Sequence, residues 1–115
     1  MIDWTRAQDL SDEIGQDCFG EVIDLFLTEA GGVVIRLRDN PDMSRLADDL
    51  HFLKGGMLNL GFVTVSTLCE RGELLASAGQ ADRFDIMALV DEYERARRAF
   101  LAEYQSRLAG QTSAG

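Results

Sequence analysis

The sequence predicts an all-α protein: an antiparallel four-helix bundle with an additional short N-terminal helix. Apolar residues recur three and four apart in every long segment, and no stretch alternates with the period of a strand. A single proline, Pro41, interrupts the 115 residues. Short connections between long amphipathic segments favour antiparallel neighbours, and a hydrophobic content of 46% is enough for one core without a disulfide or metal staple.

Trp4, Ala7, Leu10 and Ile14 form the first, short stripe, closed by Gly15. A longer one holds Val22, Ile23, Phe26, Leu27, Ala30, Val33, Val34 and Leu37, with Gly31-Gly32 a weak point within it, and ends near Asp39. Asn40 and Pro41 read as N-cap and first-turn residues of a third helix that carries Met43, Leu46, Leu50, Leu53, Met57 and Leu60. Gly61 is placed to stop it in a left-handed turn. Val65, Leu68, Cys69, Leu75 and Ala76 mark the fourth helix, ending near Gly79. Asp82 is a candidate cap for the fifth, which carries Ile86, Leu89, Val90, Tyr93, Phe100, Tyr104 and Leu108. The bundle domain is expected over 1–109, with a disordered C-terminal tail over 110–115.

Charge narrows the class of partner. A net charge of −9 argues against a nucleic-acid partner, because binding a phosphate backbone depends on clustered Lys and Arg. Residues 1 to 30 carry eight carboxylates against Arg6 alone, which a solvated helix surface explains more readily than an acidic docking patch. No apolar run is long enough to cross a bilayer and no signal peptide follows Met1, so a soluble cytoplasmic protein without a membrane partner is expected. Cys18 and Cys69 match no metal or redox spacing and read as two small buried thiols in a reducing compartment.

The candidate chemistry lies in His51-Phe52-Leu53-Lys54-Gly55-Gly56, which holds the only histidine and the only lysine of the chain. Residues three apart sit about one turn from each other on a helix, so His51 and Lys54 are neighbours. At about 100° per residue, His51 lies roughly 130° from the centre of the apolar stripe and faces solvent. One histidine cannot build a metal site, and Ser44 is two turns away, too far to make a nucleophile and base pair with it. The remaining chemistry is the imidazole as nucleophile, its neutral nitrogen attacking phosphorus and carrying a phosphoryl group. Lys54 supplies positive charge beside it, Gly55 keeps the surface low for an approaching partner, and Asp48 and Leu58 flank the same strip.

The run from His51 to Gly55, followed by Leu60-Gly61, resembles the signature of histidine-containing phosphotransfer (HPt) domains of bacterial two-component relays. In that signature a histidine is followed by Leu, Lys and Gly and, a turn and a half later, by Leu-Gly. A short helix before a long one, Leu68 and Cys69 followed by Glu73, and a long last helix extend the resemblance over most of residues 3 to 108. It implies a phosphocarrier rather than an autonomous enzyme: His51 is phosphorylated, Lys54 gives electrostatic support, Gly55 gives access, and Asp48, Phe52 and Leu58 meet the partner. The implied partners are response-regulator receiver domains and a sensor histidine kinase. Mg²⁺ is expected on the receiver, with no cofactor or metal of the chain's own, and the carrier is expected to be a monomer. Gly72 departs from the usual pattern, in which a larger apolar residue is common. The alternatives are the phosphoacceptor domain of a chemotaxis-type histidine kinase, which shares this fold, and a helical interaction module that is never phosphorylated. Nothing resembling an ATP-binding domain is present, and the chain begins at Met1 and ends just past its last helix, so a free-standing carrier is the expectation.

Overall fold

The computed structural model describes residues 1–108, and the expected tail over 110–115 lies outside them. Five α-helices follow one another: α1 (Trp4–Ile14), α2 (Gln16–Asp39), α3 (Leu46–Leu60), α4 (Val63–Ser77) and α5 (Ile86–Arg107). The last four form an antiparallel bundle within an elongated body of 52 × 22 × 20 Å, and α1 packs against α2 and α3. The architecture is the all-α one that the helical period predicts.

Asp3 caps α1, its side chain accepting from the backbone N–H groups of Thr5 and Arg6 at 3.1 and 3.3 Å. The same residue ties α1 to the α3–α4 turn, because its own N–H donates to Gly61 O at 2.7 Å. Trp4 then stacks on Phe100 of α5 with ring centroids 5.2 Å apart, and the Arg107 guanidinium lies 5.5 Å from the Trp4 ring centroid. Phe62 and Tyr104 complete this aromatic cluster around Phe100.

α2 runs through Gly31-Gly32 without a break. The propensity cost of the pair is outweighed by burial of Phe19, Ile23, Leu27, Ala30, Val34 and Leu37 along one face. Gly31 also lies under the Tyr93 hydroxyl, which donates to Leu27 O at 3.3 Å.

Two capping expectations are corrected. Asn40 is the C-cap of α2 rather than an N-cap, and Pro41 lies outside any helix. Asp42 is the cap, accepting from Ser44 N at 3.1 Å to open a 3₁₀ turn over Met43–Arg45, and α3 begins only at Leu46. Met43 is therefore exposed rather than part of the core stripe. Asp82 likewise sits in a 3₁₀ turn over Ala81–Arg83, and Asp85 caps α5 by accepting from Ala88 N at 3.0 Å. In both places several acids near a helix start could serve, and the packing of the connection selects one. The thiol expectation is half corrected: Cys69 is buried, but Cys18 is exposed.

α3 and α4 are the most intimately packed pair. Gly61, at φ 83° and ψ 17°, ends α3 in the left-handed conformation. A β-carbon there would collide with the backbone carbonyl of Asp3. Gly72 explains the close approach of the helices: its missing side chain is replaced by Leu50 and the Phe84 ring, and a β-carbon would overlap both. The departure at Gly72 is thus filled from α3 and from the α4–α5 connection.

Candidate functional site

The buried residues of α3, Leu46, Leu50, Leu53, Met57 and Leu60, turn one face of the helix into the core. The opposite face carries Asp48, His51, Gly55 and Leu58, all exposed, on one strip. The His51 side chain is 75% exposed. Phe52, half exposed, stands beside the strip on the α2 side. The six residues singled out from the sequence therefore share one surface, with Lys54 on the α4 side of His51 and only 30% exposed.

Gly55 makes no packing demand. A β-carbon built on it meets nothing within 4 Å, and the same holds for Gly56. Neither glycine is there because a neighbour fills its place, in contrast to Gly72. Between α2 and α3, Phe26, Glu29, Phe52, Gly56 and Asn59 line a groove of about 310 Å³ that opens beside Phe52. A larger surface groove, about 720 Å³, lies between α2 and α5 and includes none of these residues.

One residue of the site comes from another helix. Glu73 of α4 places Oε2 3.3 Å from His51 Nδ1 and Oε1 3.0 Å from Lys54 Nζ. With the ring proton on Nδ1, His51 donates to Glu73, and the lone pair of Nε2 on the opposite edge is free. Glu73 is 22 residues from His51, and only the packing of α4 on α3 brings them together. Its signal in the sequence was its place four residues after Cys69, on the α4 face that approaches α3; nothing in the spacing from His51 discloses it.

Cys69, one turn before Glu73, is fully buried. Burial foremost, and then the Glu73 charge, push its thiol up to about 12, against a smaller opposing effect of Lys54. It is an apolar support and not a nucleophile. Among the described residues no three His, Cys, Asp or Glu side chains converge as a metal site. No helix among them is long and apolar enough to cross a membrane.

Two residues before His51, Asp49 is buried, and its Oδ1 accepts from the Arg36 guanidinium of α2 at 2.6 Å. The pair joins α2 to the first turn of α3 and so helps to position the helix that presents the imidazole.

Residues 21–99 match the family model of the Hpt domain, about two thirds of the chain and the whole of α3 and α4. No curated protein and no solved structure matches the chain.

Proposed function

Because the chain belongs to the Hpt domain family, and so to phosphorelay signalling, we propose that it is a phosphocarrier that accepts a phosphoryl group on His51. In this reading the group moves to or from the aspartate of a response-regulator receiver domain, and a sensor histidine kinase stands upstream. The observation that supports it most directly is an exposed imidazole whose Nδ1 edge is engaged by Glu73, leaving the Nε2 edge in solvent.

The Nε2 lone pair of the neutral ring attacks the phosphorus of an aspartyl phosphate. The N–P bond forms as the bond from phosphorus to the aspartyl oxygen breaks, and the electron pair leaves with the carboxylate. The ring gains positive charge while its proton stays on Nδ1, which donates a hydrogen bond to Glu73. No proton has to move, so the carrier needs no general base. The receiver would supply Mg²⁺ and the acidic pocket that surrounds the phosphoryl group. Gly55 leaves the approach to the ring open, and Asp48, Phe52 and Leu58 are the contact residues around it.

Incubation with labelled ATP and the histidine kinases and receiver domains of the same genome tests the reading. Acid-labile, alkali-stable phosphate is expected on the wild type and none on a well-folded His51→Gln protein. Equal labelling of that variant would refute it.

A further inference from the structure

We propose that the groove between α4 and the start of α5 is a docking site for an acidic peptide segment that carries one apolar side chain; the inference goes beyond the carrier reading and does not depend on it. The groove has a volume of about 280 Å³. Its floor is apolar, made of Leu68 and Leu75 of α4, the Phe84 ring and Ala88 of α5, and Arg71 and Arg83 complete its lining. The Phe84 ring also fills the notch at Gly72, so core packing fixes this floor before any partner arrives. The space has room for a side chain and not for a packed helix, whose diameter alone is about 10–12 Å.

Charge selects the partner. Arg36, Arg38, Lys54, Arg95, Arg97 and Arg107 each lie within ion-pair distance of a carboxylate. Among the described residues Arg71 and Arg83 do not, although the chain carries 20 acids, and both arginines are exposed. Asp85 is the acid of the lining, and its Oδ1 is engaged by Ala88 N–H at 3.0 Å as the cap of α5. The groove is thus left with an excess of positive charge on a chain of net charge −9. Guanidinium groups bind carboxylates through paired, planar hydrogen bonds. A dianionic phosphate would be repelled more strongly by Asp85 than a singly charged carboxylate is. The matching segment places an apolar side chain on Leu68 and Leu75, with Asp or Glu beside it for Arg71 and Arg83.

The groove is separate from the strip that bears His51. Arg71 lies two residues before Glu73 and about 200° from it around α4, so the groove opens on the α5 side of the helix while Glu73 faces α3. A segment bound there leaves the imidazole uncovered.

An array of hexapeptides in which Leu, Met, Phe or Trp is flanked by Asp and Glu tests the proposal, beside the same array with Asn and Gln for the acids and a third with phosphoserine. The full chain would be added to each, and the strongest acidic binder titrated by fluorescence anisotropy. Saturable binding to acidic members is expected, weakened by salt, with Arg71→Gln and Arg83→Gln each costing about five- to tenfold in affinity while melting temperature holds. Ala88→Gln, which fills the groove with both arginines in place, should weaken binding by a similar factor. No binding by any acidic member, equal binding of the Asn and Gln array, or a preference for phosphoserine would overturn the proposal. So would unchanged affinity in a folded Arg71→Gln/Arg83→Gln protein or in Ala88→Gln. Binding is read without phosphoryl transfer, so failure of the carrier reading would leave this result standing.

Discussion

Asp49 and Arg36 meet at 2.6 Å between α3 and α2, with the carboxylate 6% exposed and the arginine 46% exposed. Asp49 Oδ2 is buried with no hydrogen-bond partner among the described residues, so the whole charge depends on one guanidinium. Arg36→Ala strands a buried carboxylate and should destabilise the fold by about 1–3 kcal/mol, less than for a fully buried pair because solvent reaches the arginine. Urea unfolding of Arg36→Ala and of the double variant Arg36→Ala/Asp49→Asn measures this, and the second change should restore part of the loss. Equal midpoints for the wild type and Arg36→Ala would mean that water already serves Asp49.

Gly72→Ala and Gly55→Ala should have opposite signs. At Gly72 a methyl group would overlap Leu50 and Phe84, an overpacking that costs about 1–3 kcal/mol. Thermal unfolding should show a lower midpoint. No drop would mean that the α4 backbone shifts away from α3 at little cost.

At Gly55 the same methyl enters open space, and replacing a mid-helix glycine should stabilise the fold by up to about 1 kcal/mol. Gly55→Gln should also fold, yet transfer from a receiver should fall with the size of the side chain that rises beside His51. Wild-type transfer in Gly55→Gln would remove the access role of this glycine.

The two thiols should respond differently to the same reagent. Cys18 is exposed and should react with a disulfide probe in the native state, whereas Cys69 should react only after unfolding. The Cys69 thiol is pushed up from 9.0 to about 12 in the fold, so above about pH 9 the unfolded chain loses that proton first. Fewer protons on the unfolded state mean that stability falls as pH rises, across the window from about 9 to about 12. Tyr93, whose hydroxyl is also raised, chiefly by burial, adds to the same trend. Chemical denaturation at about pH 8 and about pH 10.5 should show the decline, and Cys69→Ala should flatten it while lowering stability at the milder pH. An equal decline in that variant would assign the effect to other groups.

The sequence alone determined the helical period, the left-handed stop at Gly61 and the strip that bears His51, because these are local: 100° per residue decides which side chains share a face, and few residues other than glycine accept φ near +83°. It also placed Lys54 one turn from His51, since both lie on one helix. Tertiary structure decided what has no local period. Asp42 and Asp85 act as caps in place of Asn40 and Asp82 because the connections pack that way, and Cys18 is exposed because α1 and α2 meet with its side turned out. Glu73 reaches His51 and Lys54 because Gly72 lets α4 lie close on α3, a contact across 22 residues of chain. The candidate nucleophile was written in one helix, but the carboxylate beside it required two helices packed together.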